Sequence, residues 1–129
     1  MMEDFNAGEH IPWERSRFEH ALMPLLEDDR LGLVAFGAAS EAAGYAVVTW
    51  GYDLEFAGRD AFLTELYVRP AVRRGGWGAG LLAWTEAEAR RAGAGAIHLM
   101  LLHDNAAARS LYQRRGYAPP PRELLSKRL

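Results

Sequence analysis

A chain of 129 residues, half of them hydrophobic and 25% charged, has the makeup of one globular domain and little room for a second. A net charge of −2 offers nothing to draw a nucleic acid or an anionic membrane, and the absence of cysteine excludes disulfides, thiolate metal sites and a cysteine nucleophile. The acidic start is unlike a secretory leader, and no apolar run approaches the ~20 residues that cross a bilayer, so a cytoplasmic protein without membrane contact is expected.

Residues 1–12 show no clear period and are expected to form a loose N-terminal arm on a single domain spanning 1–129. From Trp13 to Glu27, apolar residues at Phe18, Leu22, Leu25 and Leu26 keep helical spacing, and Pro24 should kink the helix or end it early. Leu31–Ala38 reads as a strand, Ala39–Ala43 as a hairpin loop, and Gly44–Phe56, rich in Tyr, Val and Trp, as a second strand. A turn at Ala57–Asp60 leads to a third strand, Ala61–Arg69, closed by Pro70. A glycine cluster then opens a helix from Trp77 to Ala92, with Glu86 and Arg90 paired on its wet side and glycines ending it. Ala96–Leu102 reads as a strand buried on both faces. A helix capped by Asp104 or Asn105 runs to Arg115 and stops at Gly116, and the tail Arg122–Leu129 can form a last strand after three prolines. The third and fourth strands are joined through a helix, so they should lie parallel with a right-handed crossover. The fold class is α/β, or α+β, with a mixed, mostly antiparallel sheet.

The most informative stretch runs from Glu65 to Leu82, where a strand leads into arginines and glycines and then a helix. Glycines let backbone amides converge, the helix N-terminus adds partial positive charge, and Arg73 and Arg74 add full charges. The ligand of such a cradle is a phosphate or pyrophosphate. No Gly-Lys-Ser/Thr is present for a nucleoside triphosphate loop, and Leu81 stands where a dinucleotide fingerprint needs its third glycine. His98 and His103 do not face the same way, so no metal is expected.

What fits is R-x-x-G-x-G at Arg73, Gly76 and Gly78, followed about thirty residues later by Asn105, Ala108, Tyr112, Gly116 and Tyr117 in an N-x-x-A-x-x-x-Y-x-x-x-G-F/Y pattern. Together these resemble the GNAT superfamily of acetyl-CoA-dependent N-acetyltransferases. The resemblance implies a sheet splayed between two parallel strands, with helices on both faces. It implies that Arg73, Arg74, Gly75, Gly76, Trp77, Gly78 and Ala79 hold the CoA pyrophosphate. The backbone of Leu66, Tyr67 and Val68 would pair with the pantetheine arm, the Val68 amide would polarise the thioester carbonyl, and Asn105 would touch the arm. Glu65 would take the proton of the amine, and Tyr112 would protonate the leaving thiolate. Arg74 departs from the glycine that many members carry, and the segment before Trp13 matches poorly. The resemblance further implies a small-molecule or peptide amine as acceptor, and a homodimer is compatible with it.

Each of these residues has a plainer reading. Tyr112 can be a packing tyrosine, Glu65 an edge charge facing water and Asn105 only a helix cap. Trp50, Tyr52 and Phe56 with Asp53 and Glu55 could cradle a cationic acceptor, or could be a sheet face with solvated charges. A CoA-binding sensor without catalysis is the alternative function; it would need the cradle but neither Glu65 nor Tyr112.

Overall fold

The computed structural model describes residues 1–38 and 41–129. Its centre is a sheet in the order β1-β2-β3-β4, formed by β1 (Gly32–Ala38), β2 (Ala42–Asp53), β3 (Gly58–Val68) and β4 (Ile97–Leu99). β1–β2 and β2–β3 are antiparallel, and β3–β4 is parallel. Helices α1 (Met2–Gly8) and α2 (Arg15–Glu27) lie on one face; α3 (Trp77–Arg91) and α4 (Ala106–Arg114) lie on the other.

Strand alternation sorts the core into two layers. Ala46, Val48, Ala61 and Leu63 meet Leu81, Leu82 and Ala89 of α3 and Tyr112 of α4. Tyr45, Val47 and Tyr67 meet Met1, Met2 and Phe5 at the N-terminus and Leu25 of α2. Leu63 and Tyr67 lie four residues apart on β3 yet face opposite ways, because a bulge intervenes. Val48 pairs with Leu63 and Val47 with Glu65, so Thr64 is an extra residue on β3. Its hydroxyl donates to the Val47 carbonyl at 3.1 Å. The bulge turns Glu65 and Tyr67 toward α1, and Leu66 and Val68 toward α3 and α4.

Several sequence expectations need correction. Residues 2–8 form a helix, not a loose arm, and Asn6 within it is 1% exposed. Pro24 does not end α2, which runs on to Glu27 with the Asp28 amide donating to the Pro24 carbonyl. Of the expected 39–43 loop, Ala39 and Ser40 lie outside the described residues, and Ala42 and Ala43 already belong to β2. The second turn comes earlier than expected, as a 3₁₀ turn at Leu54–Phe56. Asp53 accepts from the Glu55 amide at 2.9 Å, and Ala57 takes a left-handed φ of 60°, so the chain has already reversed when β3 starts at Gly58. β4 is three residues long and only part-buried, because it pairs on one side alone; Met100 beyond it is 67% exposed. The tail forms no strand among the described residues, and its residues 118–129 are exposed, with Arg122 paired to Glu55. Glu86 is buried, not wet, and Arg115 is its main partner, tying α3 to the end of α4.

Candidate functional site

β3 and β4 pair only from Ala61 to Leu63 and from Ile97 to Leu99. Beyond Leu63, β3 continues to Val68 with β2 beside it and, among the described residues, no strand on its other side. The two parallel strands therefore part, and the edge of residues 65–68 is open for an extended ligand to add as a strand. Leu66, Val68, Leu99 and Leu101 give this gap an apolar lining beside Tyr112.

At the top of the gap, β3 turns through Pro70–Val72 into the glycine loop and α3. Gly76 caps α3 with a φ of 86°, a conformation a side chain would strain, and no side chain caps the helix. Among the described residues nothing accepts from the amides of Gly76, Trp77, Gly78 or Ala79; the first helical bond is that of Gly80 to Gly76. Bare amides at the start of a fifteen-residue helix suit a phosphate group. A Cβ on Gly78 would touch Leu111 at 3.5 Å and Val68 at 3.8 Å, so larger side chains there would enter the gap. Arg73 is tied back, its Nε donating to the Val68 carbonyl at 2.9 Å and its guanidinium lying 5.8 Å from the centre of the Tyr67 ring. Arg74 is exposed and holds a left-handed φ of 66°, the geometry that explains why glycine suits this position.

On the α1 side of the gap, Glu65 is part-buried and accepts a 2.5 Å hydrogen bond at Oε2 from the hydroxyl of Tyr45, which is 0% exposed. Burial raises the Glu65 carboxyl above its usual range, and the Tyr45 hydrogen bond opposes that rise. Burial and the Glu65 charge push the Tyr45 phenol far up, so it stays a donor. Tyr67, two residues from Glu65 on the same face, reaches Asp4 of α1 at 3.5 Å. On the α4 side, Tyr112 is 9% exposed, and its phenol is pushed up to about 12 by burial, with the negative charge of Glu9 adding to it. No described residue hydrogen-bonds its hydroxyl. Burial raises the Glu9 carboxyl, with His10 opposing and the negative charge of Asp104 adding to the rise, so acidic groups from the end of α1 and the start of α4 lie near one another.

The structure thus gathers Glu65 through Ala79 along one strand and one loop, with Tyr112 on the facing helix. Glu65 and Tyr112 sit in different layers, Glu65 beside Tyr45 and Tyr112 among Ala46, Leu63, Leu81 and Leu82. Asn105 caps α4, its side chain accepting from the Ala108 amide at 3.1 Å. The aromatic and acidic patch does not join the site. Tyr52, Asp53, Glu55 and Phe56 lie at the opposite end of the eleven-residue β3, roughly 30 Å from the glycine loop. Asp53 there closes a turn, Glu55 pairs with Arg122, and Tyr52 is 78% exposed. His98 does have an acidic neighbour, Asp60 at 3.5 Å, but among the described residues no three His, Asp or Glu side chains could share a metal ion. Sequence reasoning missed Tyr45, Asp4 and Glu9, all brought in by pairing or packing between distant segments.

A profile described as the acetyltransferase (GNAT) family matches residues 1–117. No protein with a curated description matches the sequence. Among solved structures, an integron cassette protein, HFX_CASS3, from the mobile metagenome of Cole Harbour Salt Marsh is similar at a TM-score of 0.86 and 26% identity, over 99% of this chain and 80% of that one. The aminoglycoside antibiotic 6'-N-acetyltransferase AAC(6')-IG from Acinetobacter haemolyticus is similar at a TM-score of 0.76 and 17% identity, over 99% and 92%. AAC(6')-Iy, in complex with the bisubstrate analog CoA-S-monomethyl-acetylneamine, gives 0.79 and 17%, over 90% and 81%. At 17% identity the last two speak for the fold alone.

Proposed function

Because the chain belongs to the GNAT family of acetyltransferases, we propose that it moves an acetyl group from acetyl-CoA to a primary amine by direct attack in a ternary complex. The observation that carries this reading is the parting of β3 and β4 directly below an uncapped helix start, with a part-buried carboxylate on one side of the gap. The free amides of Gly76 to Ala79, with Arg73, Arg74 and Gly75, would hold the pyrophosphate of acetyl-CoA. The open edge at Leu66, Tyr67 and Val68 and the Asn105 side chain would hold its pantetheine arm. Bound there, acetyl-CoA supplies an activated acyl carbonyl with a thiolate leaving group.

Glu65 takes the proton an attacking amine must lose, since only the neutral amine is a nucleophile. The Val68 amide supports the carbonyl oxygen as it gains charge. Tyr112 donates a hydrogen bond to the departing sulfur. Direct attack suits a chain without cysteine, and nothing in the gap offers a covalent carrier for the acyl group. Glu65, Glu9 and Asp104 favour a cationic acceptor, which replaces the distant patch as the basis for that expectation. AAC(6')-Iy in complex with its CoA–acetylneamine analog is a fold neighbour whose printed ligand fits such an acceptor. The test is thiol release from acetyl-CoA across a panel of cationic, neutral and acidic amines. Release with cationic amines supports the reading; tight CoA binding without release on any amine would leave a sensor instead.

Two variants probe the cradle. Gly78→Val should weaken acetyl-CoA binding at least tenfold, about 1.4 kcal/mol, because its methyls enter the gap beside Leu111 and Val68 while the fold survives. Unchanged affinity in calorimetry would remove the loop from the site. Arg74→Gly relieves a left-handed backbone costing about 1–2 kcal/mol but frees the unfolded chain, so stability should rise by at most about 1 kcal/mol. The lost charge should weaken acetyl-CoA severalfold at low salt and less at high salt, measured by melting and titration together. Equal affinity at both salt levels would show that Arg74 does not meet the phosphates.

A further inference from the structure

We propose that Tyr45 is the positioning residue for the base. It anchors Oε2 of Glu65 and so presents Oε1 to the incoming amine, an inference that rests on the acetyl-transfer reading. Tyr45 sits on β2 directly opposite Tyr67, two pairs along from the Val47–Glu65 pair and on the same face. That diagonal relation exists only because the Thr64 bulge turns Glu65 onto the α1 face; without it Glu65 would share the face of Leu63. The Tyr45 ring is locked in place by three aromatic neighbours, Phe5 at 6.4 Å, Phe36 at 6.4 Å and Tyr67 at 6.0 Å. A fully buried phenol has its hydroxyl direction set by packing, and here it spends its one proton on the carboxylate at 2.5 Å.

The consequence is a division of labour between the two oxygens of Glu65. Oε2 is committed to Tyr45, while Oε1 takes no hydrogen bond from any described side chain or amide. As the amine nitrogen bonds to the acyl carbon, its N–H bond breaks and the proton goes to Oε1; the carbonyl pair moves onto oxygen and returns as the C–S bond breaks and the CoA thiolate leaves. A hydroxyl donating to the charged form favours the carboxylate over the acid, so Tyr45 opposes the rise that burial imposes on the base. Few other charges face this pair. β1 presents Val34 and Phe36, and α2 presents Leu25. β3 presents Tyr67 with Arg73 over its ring, and the N-terminus presents Asp4 with the terminal ammonium 3.2 Å from it. Asp4 is paired at both the ammonium and Tyr67, which leaves Tyr45 as the group in direct contact with Glu65.

The experiment compares wild type, Tyr45→Phe, Glu65→Gln and the double variant in kcat/KM against pH, with acetyl-CoA affinity by calorimetry and the Glu65 carboxyl followed by NMR titration. Tyr45→Phe should move the acidic limb upward by about one pH unit or more, since a hydrogen bond to a charged group is worth that much. Below both limbs its rate should fall about tenfold and above them it should recover, with acetyl-CoA affinity unchanged. In the Glu65→Gln background the same change should add nothing to the pH profile. The NMR titration of Glu65 should shift in the same direction without any substrate. A limb and a titration that both stay in place, or a loss uniform across pH, would overturn the inference while leaving the transferase reading intact. A wild type that acetylates no amine would overturn both.

Discussion

Glu65→Gln is expected to lower kcat/KM by about 10²-fold or more near neutral pH, the usual worth of a positioned base. Gln keeps the size of the side chain and a carbonyl oxygen that still accepts from Tyr45, so packing around Tyr45 and Tyr67 should survive. What it lacks is a site for the proton. The pH dependence separates a base from a mere binding charge. As the proposed base Glu65 would act as the carboxylate, and burial raises its carboxyl above the usual range, so wild-type activity should fall as pH drops through that raised value. In the Gln variant this limb disappears, and the remaining rate follows the ionisation of the amine alone. The gap between the two enzymes therefore narrows at high pH, where the amine arrives already neutral. A Gln variant with wild-type rate and pH profile would make Glu65 structural. A variant whose KM for the amine rises at unchanged kcat would make it a binding charge only.

How much of this was legible in the sequence depends on the range of the interaction concerned. The Arg73–Gly78 loop was legible because a strand end, a glycine turn and a helix start are contiguous in the chain; its geometry is local. The cap by Asn105 was legible for the same reason. The partner of Glu65 was not. Tyr45 stands twenty residues away, and its contact depends on a register and on a bulge at Thr64 that no alternation of residue types announces. Helix α1 escaped notice because seven residues without a side-chain cap carry too little periodicity; packing of Met2 and Phe5 on Tyr45 and Tyr67 holds it. The acidic patch at Asp53 and Glu55 was placed near the chemistry by closeness in sequence. Strand direction overrides that closeness, because a β-strand carries the chain about 3.3 Å per residue away from its hairpin. The buried Glu86 shows the same limit: its i,i+4 partner is visible locally, and its stronger partner, Arg115, arrives from another helix.

Tyr112→Phe should lower kcat by roughly 10²-fold or more while acetyl-CoA affinity changes little. The ring is the buried part, packed with Ala46, Leu63, Leu81 and Leu82 and 5.6 Å from the Tyr117 ring, and Phe reproduces it. Only the hydroxyl is lost, and no described residue depends on it. The size of the effect follows from what the hydroxyl can do. Its phenol is pushed up to about 12, whereas an alkyl thiol ionises near ~8.5. Handing the proton over completely would then run uphill by roughly 3.5 units, on the order of 5 kcal/mol. Donating a hydrogen bond to the sulfur as it gains charge carries no such cost, and loss of one such donor in a sheltered site typically lowers kcat by about 10²–10³-fold. On the proposed reading, this energy gap favours stabilisation of the thiolate by a hydrogen bond over complete protonation by Tyr112. That choice has its own signature. A complete proton transfer in the slow step would give a solvent isotope effect that the Phe variant loses, whereas hydrogen-bond stabilisation leaves the isotope effect small in both. Wild-type kcat in Tyr112→Phe, measured where chemistry limits the rate, would return Tyr112 to a packing role.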